Sequence, residues 1–419
     1  MHRIKTCKIK DQSVTVPGSK SYTHRIFIAA ALANGISTVV NALDSEDTRL
    51  TLDALTRMGA GTDRPGPVVI QGFDGRPQPC VDPLYLGNSG TSVRLLTGIA
   101  ALGEGRYSLT GTDRMGQRPI ADLLDSLSQI GVPARCENDN GCPPLTIEGG
   151  RISGRSLNIK CSESSQFLSA LLLMAPCTAG GLDISVDGDP VSKPYIDMTV
   201  DIMNRFGISV SRRGYNRFTV SGRQHYRPGT YTVEPDCSQA GYFWGAAAIT
   251  GNAVQVLALN RDTRQGDIRI VHVLEEMGCR VAWDLDGITV SGGPSLQGVT
   301  VDMADMPDMV PTLAVVAAFA RGKTVIDNVA HLRGKESDRL AAVSAELGKM
   351  GIDVQDSPAG LVITGGRPQG AEIETYNDHR IAMSFAMAGL KTPGTAIRNP
   401  GCVEKSFPGF WDVLETLYA

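Results

Sequence analysis

The sequence predicts an α/β protein of two similar domains, each assembled from three copies of one α/β repeat. Three observations lead there. An amphipathic segment that ends in glycine and precedes a short β-branched run occurs at 52–58, 120–130, 198–206, 268–277 and 340–350, with a sixth copy from Phe410 onward. The glycines that close the first five (Gly59, Gly131, Gly207, Gly278, Gly351) lie 72, 76, 71 and 73 residues apart, a period that signals internal repeats. A second, more apolar segment alternates with the first, at 25–33, 91–102, 166–175, 240–249, 310–320 and 380–390. It is apolar on nearly every face with Ala and Gly interleaved, which predicts fully buried helices. Finally, 419 residues of which 42% are hydrophobic suffice for two separate cores. Three repeats per domain place three buried helices at each centre, wrapped by outer helices and by strands such as 14–16, 183–186 and 254–259.

The polar residues that lead into the buried helices carry the functional signal. In the first leader, Pro17-Gly18 marks a turn, Ser19 or Ser21 can cap a helix, and the run from Ile26 to Leu32 is the buried helix itself. Lys20 and Arg25 then sit in the first turns, where the macrodipole disfavours cations unless an anion joins them. Two surface cations paired with nearby acids would be the ordinary alternative. The other leaders are Gly87-Asn88-Ser89-Gly90-Thr91-Ser92-Val93-Arg94, Ser162-Glu163-Ser164-Ser165-Gln166, Asp236-Cys237-Ser238-Gln239, Asp305-Met306-Pro307-Asp308 and Tyr376-Asn377-Asp378-His379-Arg380. With equivalent repeats, all six lie at the same end of parallel buried helices, so their positive dipole ends converge on an anion site. Capping alone explains the hydroxyls and carboxylates but not Lys20, Arg25, Arg94 and Arg380.

Composition narrows the partners to small molecules. The net charge of -4, with 20% charged residues, leaves no nucleic-acid footprint. Residues 1–10 lack an apolar leader core and no later run approaches a membrane span, so a cytoplasmic protein is expected. Nine cysteines (7, 80, 136, 142, 161, 177, 237, 279, 402) form no C-x-x-C pair and read as buried or idle thiols. Six histidines show no ligand spacing, so no metal cage is expected. A Walker loop, a G-x-G-x-x-G turn and a complete nucleophile elbow are all missing, which sets aside ATP use, hydride transfer and serine hydrolysis.

Eight stretches, in order along the whole chain, resemble the motifs of the 5-enolpyruvylshikimate-3-phosphate synthase family. They are Pro17-Gly18-Ser19-Lys20-Ser21 with Arg25, Leu86-Gly87-Asn88-Ser89-Gly90-Thr91 with Arg94, Arg114-Met115 with Arg118-Pro119-Ile120, Ser164-Ser165-Gln166-Phe167, Ser192-Lys193-Pro194-Tyr195-Ile196-Asp197, Lys335-Glu336-Ser337-Asp338-Arg339-Leu340, Asn377-Asp378-His379-Arg380 and Lys405-Ser406-Phe407-Pro408. The resemblance implies an inside-out α/β barrel in each domain, one domain of residues 1–18 plus 235–419 and one of 19–234. It implies a hinge near 18 and 234 and an active site in the interdomain cleft. It also implies transfer of the enolpyruvyl group of phosphoenolpyruvate to the 5-hydroxyl of shikimate 3-phosphate, with release of phosphate, by a monomer that needs no cofactor.

By the same resemblance, Lys20, Asn88, Gly90, Arg118, Gln166, Arg339, Arg380 and Lys405 hold phosphoenolpyruvate. Lys20, Ser21, Arg25, Ser164, Ser165, Gln166, Ser192, Tyr195, Asp308 and Lys335 hold shikimate 3-phosphate. The residue chemistry agrees, since four anionic groups need several cations and guanidinium forks suit a planar carboxylate. Gly90, lacking a Cβ, lets substrate approach the backbone, or is merely a turn glycine. Addition and elimination through a tetrahedral intermediate need an acid and a base. The matched positions are Asp308, assigned to the 5-hydroxyl, and Glu336, assigned to the methylene carbon. Lys20 shares the proton work if crowding by other cations loosens its proton. The ordinary readings are that Asp308 caps a helix and that Glu336 pairs with Arg339. Like charges facing each other across the cleft hold the empty protein open, and anionic ligands draw its halves together.

Two departures stand out. His331 occupies a position where many relatives have an Asn that touches the shikimate ring, and Leu95 follows Arg94 where several have Pro. Because Gly90 is present rather than Ala, the enzyme is expected to be a glyphosate target. Undiminished turnover at glyphosate levels well above those of phosphoenolpyruvate would overturn that expectation. The rivals are the same transfer to a UDP-amino sugar, disfavoured by Lys20-Ser21 in place of Lys-Asn and by the lack of Cys between Arg114 and Arg118, and a non-catalytic phosphosugar-binding module, which would need neither Asp308 nor Glu336.

Overall fold

Twelve α-helices and six small sheets make up the computed structural model, which describes residues 1–6, 9–64 and 66–418. Cys7 falls outside them. Contacts divide the chain into two compact units, Gly18–Val233 and Met1–Pro17 with Glu234–Ala419.

In the first unit the buried helices are α1 (Lys20–Leu32), α3 (Gly90–Leu102) and α5 (Gln166–Met174). The outer ones are α2 (Glu46–Arg57), α4 (Ala121–Gln129) and α6 (Lys193–Arg205). In the second unit α7 (Cys237–Thr250), α9 (Val310–Ala317) and α11 (His379–Gly389) are buried, while α8 (Ile270–Glu276), α10 (Arg339–Lys349) and α12 (Phe410–Glu415) lie outside. α3 packs against both α1 and α5, and α7, α9 and α11 pack against one another. Every residue of α7 from Cys237 to Ile249 is buried. Its Trp244, whose burial contributes roughly 2–3 kcal/mol, also satisfies its ring N–H on the Ile288 carbonyl at 3.2 Å.

Helix ends read from glycine hold because each stop needs a left-handed residue: Gly59, Gly131, Gly207, Gly278 and Gly351 have φ between 78° and 104°. Helix starts lie earlier than apolar periodicity indicates. α1 begins at Lys20 rather than 25, α2 at Glu46 rather than 52, and α6 at Lys193 rather than 198. Their polar first turns are drawn into the helix by what surrounds them. Ser19, for instance, accepts from the Tyr22 amide.

Five of the sheets share one order. In the second repeat, Leu84–Tyr85 runs parallel to Gly105–Thr110, which pairs antiparallel with Leu145–Gly149, itself antiparallel to Ala134–Cys136. The repeats behind these five sheets are built of strand, buried helix, strand, outer helix and hairpin. The first repeat of each unit departs from this sequence order. Ile36–Val40, after α1, takes as its parallel neighbour Thr230–Thr232, while Gln12–Val14, the strand just before α1, pairs with Ala253–Leu257 after α7. The lead strands of α1 and α7 are exchanged between the two units. The strand before α1 lies at 12–14, two residues earlier than the 14–16 that the sequence predicts. The sixth sheet is completed by His2–Arg3, antiparallel to Ala396–Ile397.

The eight described cysteines form no disulfide. Burial raises the thiols of Cys161, Cys177 and Cys402 to about 12. Among the described residues no helix is long and apolar enough to cross a membrane, and no group of three or more His, Cys, Asp or Glu is placed to hold a metal ion.

Candidate active site

In the first unit, the N-termini of α1, α3, α5 and α6 present the residues singled out from sequence. Lys20, the first residue of α1, is 9% exposed, and its ammonium lies 3.2 Å from Asp47 in the first turn of α2. It is therefore no surface cation, and it faces a buried carboxylate. Asp47 escaped the sequence reading because an acid in a first turn is ordinary dipole chemistry.

Arg25 is 1% exposed. It donates to the Thr199 hydroxyl (2.7 Å), the Ser21 carbonyl (3.0 Å), the Tyr195 carbonyl (3.1 Å) and the Ser169 hydroxyl (3.3 Å), tying α1 to α5 and α6. Burial brings its guanidinium down to about 10. Ser21 and Tyr195 are thus positioned by the residue expected to bind alongside them. Ser164 and Ser165 are both buried, and Ser165 accepts from the Ser169 hydroxyl at 3.2 Å through its carbonyl. Ser192, before α6, sits in the left-handed region at φ 56°, which costs a non-glycine residue about 1–3 kcal/mol.

Arg94 was grouped with the anion-binding cations. Its guanidinium, 2% exposed, is committed at least in part to protein acceptors: Gln166 Oε1 at 2.9 Å, the Pro119 carbonyl at 2.9 Å and Ser164 Oγ at 3.5 Å. The amide nitrogen of Gln166 donates in turn to Thr91 Oγ1 at 2.9 Å. Arg118 donates to the carbonyl of Asn88 (2.8 Å) and to its side chain (3.2 Å). A Cβ on Gly90 would lie 2.2 Å from Arg118 Nη2 and 2.5 Å from its Cζ. Gly90 has an ordinary helical φ, so the position needs glycine for space, and the group that fills that space is the Arg118 guanidinium.

The second unit holds a charge cluster centred on Arg339, the first residue of α10. Its Nε donates to Asp378 Oδ2 (2.8 Å), Nη1 to Asp308 Oδ1 (2.9 Å) and Nη2 to Glu336 Oε2 (2.8 Å). Arg380 donates to Asp308 Oδ2 at 2.7 Å and to the Tyr242 hydroxyl at 3.3 Å. Burial opposes the charge on Arg339, yet Asp378, Glu336 and Asp308 overcome it and hold the guanidinium well above its ordinary value. Burial likewise pushes the Tyr242 phenol far above its usual range.

Asp308 does not cap a helix, contrary to the ordinary reading. The residue at the α9 N-cap is Met309, no side chain caps it, and both Asp308 oxygens face guanidinium groups instead. Asp378 caps α11 through the Arg380 amide (2.9 Å) and also accepts from Ser337 Oγ (3.0 Å). Two consecutive left-handed residues, Tyr376 and Asn377, deliver it there, and the Tyr376 hydroxyl is tethered to buried Glu346 at 2.7 Å. Lys335 follows the turn Ala330–Gly334, and Lys405, 6% exposed, ends the turn Pro400–Lys405. His331 lies in the first of these turns; burial, then Lys335, lowers it to about 3, so the imidazole is neutral across the physiological range.

The family model for EPSP synthase (3-phosphoshikimate 1-carboxyvinyltransferase) matches residues 6–414. The chain belongs to the EPSP synthase family. It is similar to the 3-phosphoshikimate 1-carboxyvinyltransferases of Syntrophobacter fumaroxidans, 45% identical over 407 residues, and of Methanoregula boonei, 44% identical over 405, with 96% of each chain covered in both cases. Among solved structures it resembles the EPSP synthase of Acinetobacter baumannii, with a TM-score of 0.83 and 31% identity over 100% of this chain and 98% of that one. Within the EPSP synthase frame, sequence reasoning missed Asp47, Thr91, Tyr242 and the buried Asp378 as site neighbours. Thr91 and Asp378 carried a usable signal, the first beside Gly90 in the Leu86–Thr91 motif and the second beside Arg380 in the Asn377-Asp378-His379-Arg380 motif.

Proposed function

We infer that the chain transfers the enolpyruvyl group of phosphoenolpyruvate to the 5-hydroxyl of shikimate 3-phosphate and releases phosphate, a step of aromatic amino-acid biosynthesis. The observation that supports this most is the pair of carboxylates, Asp308 and Glu336, held on the single guanidinium of Arg339 with Arg380 beside them. A module that only bound phosphosugars would need the cations but not these acids.

In this reading Asp308 takes the 5-hydroxyl proton and Glu336 serves the methylene carbon, with Lys20 sharing the proton work. Lys20, Asn88, Gly90, Arg118, Gln166, Arg339, Arg380 and Lys405 hold phosphoenolpyruvate. Lys20, Ser21, Arg25, Ser164, Ser165, Gln166, Ser192, Tyr195, Asp308 and Lys335 hold shikimate 3-phosphate. Anionic substrates entering the Arg339 cluster compete with its carboxylates for the same donors, which frees those carboxylates for proton transfer. The substrates are small and soluble, which fits a monomer working in the cytoplasm.

Phosphate release from the purified protein tests the reading. Release that requires both substrates together is the expected result. No release, with tight shikimate 3-phosphate binding retained, would instead describe a binding module.

Gly90→Ala is a second test. The added methyl displaces the Arg118 guanidinium by more than a small adjustment, since contacts of 2.2 and 2.5 Å cannot stand. The expected result is an increase of about 10- to 100-fold in KM for phosphoenolpyruvate, with KM for shikimate 3-phosphate little changed. Equal KM values for phosphoenolpyruvate in variant and parent would show that Arg118 does not act on that substrate from this position.

A further inference from the structure

The hairpin formed by Ser211–Arg213 and Arg217–Val220 belongs to no substrate motif, yet it grips the first turn of α6. Asp197, on that turn, accepts hydrogen bonds from the Arg212 guanidinium and, at 2.6 Å, from the Tyr215 hydroxyl. The Tyr215 ring lies under two cations, Arg212 at 5.3 Å and Lys193 at 5.6 Å. Lys193 also pairs with Asp189 at 2.7 Å, just before the turn. From the inner side the same turn is held by Arg25, through the Tyr195 carbonyl and the Thr199 hydroxyl. The helix so held begins just after Ser192, in its left-handed conformation, and carries Tyr195.

A left-handed serine persists only where its surroundings over-determine it. Arg25 fixes the helix body beyond Ser192, and the hydrogen bonds from Arg212 and Tyr215 in the outer grip meet on the Asp197 carboxylate. The bond from Asp197 also holds the Arg212 guanidinium above its ordinary value, as a hydrogen-bonded ion pair does.

We propose that Asp197 is a positioning residue for shikimate 3-phosphate: by tying the first turn of α6 to the Arg212 and Tyr215 hairpin, it sets Ser192 and Tyr195 for the substrate. The proposal rests on the function inferred above. It also gives the hairpin a role in substrate affinity although none of its residues stands in the substrate motifs. Because the Asp197 carboxylate is engaged by Arg212 and Tyr215 and lies outside the residues assigned to phosphoenolpyruvate, its removal is expected to act on one substrate only.

The test uses the full chain and two variants, Asp197→Ala and Tyr215→Phe, the second of which removes a single hydroxyl. Phosphate release is measured against each substrate with the other saturating, beside calorimetric titration of shikimate 3-phosphate alone. The expected result is KM for shikimate 3-phosphate raised about tenfold in Asp197→Ala and about threefold in Tyr215→Phe, with kcat and KM for phosphoenolpyruvate within about twofold of the parent. Asp197→Glu should recover part of the loss. An unchanged KM for shikimate 3-phosphate, or a fall in kcat that follows the thermal midpoint with no preference between substrates, overturns the proposal. A parent protein that releases no phosphate overturns the inferred function. In that event unchanged calorimetric affinity in Asp197→Ala overturns the positioning role as well, and weakened affinity upholds it.

Discussion

Glu336→Gln and Asp308→Ala are each expected to lower kcat by about 10²- to 10⁴-fold, the usual worth of a positioned proton donor or acceptor. The two substitutions differ in what else they disturb. Gln at 336 keeps the shape of the side chain and can still accept from Arg339 Nη2, so nearly all of its effect falls on proton transfer. Ala at 308 also removes the group that Arg339 and Arg380 share, so both guanidinium groups lose an anchor. KM for phosphoenolpyruvate should therefore shift in Asp308→Ala and hold in Glu336→Gln. The double variant is expected to fall little below the worse single one, because residues acting as a unit do not add. Losses under about tenfold in both singles would make the carboxylates partners of Arg339 and nothing more.

Arg339→Met should cost about 3–5 kcal/mol of unfolding free energy, as removing one member of a buried charge cluster does. The side chains of Arg339, Asp378 and Glu336 are 2%, 0% and 9% exposed, so the carboxylates left behind have little access to water. Met fills most of the volume, which assigns the loss to charge and not to a cavity. Chemical denaturation reads it directly. A loss below about 1 kcal/mol would mean that Ser337, Arg380 and backbone donors satisfy these acids unaided.

Much of this architecture is legible in the sequence, and the reasons are local. A helix closed by glycine announces itself because a left-handed stop excludes most other residues, so the five glycine stops could be read directly. Buried helices show in composition, as in the unbroken burial of α7 from Cys237 to Ile249. Polar first turns such as 20–24 hide their helices, because apolar periodicity is blind to them. The positions of Lys20, Gly90 and Arg339 could be read from their motifs, but what those residues touch could not. Nothing local signals that the space beside Gly90 belongs to a guanidinium 28 residues on, or that Arg94 is turned toward Gln166 and Pro119. Pairings between distant strands leave even less trace. Gln12–Val14 offers three residues, and its partner lies more than 200 residues further along the chain.

The exchange of those lead strands sets an order for synthesis on the ribosome. Ile36–Val40 keeps one bare edge until Thr230–Thr232 emerges, and Gln12–Val14 waits for Ala253–Leu257. The unit Gly18–Val233 is sealed only by its last strand, and the other unit draws Gln12–Val14 from the far side of that stretch, so non-local pairing falls late, when exposed strand edges are most prone to aggregate. A polypeptide released between residues 206 and 229 would carry all the helices of Gly18–Val233 and still lack the strand that seals its first sheet.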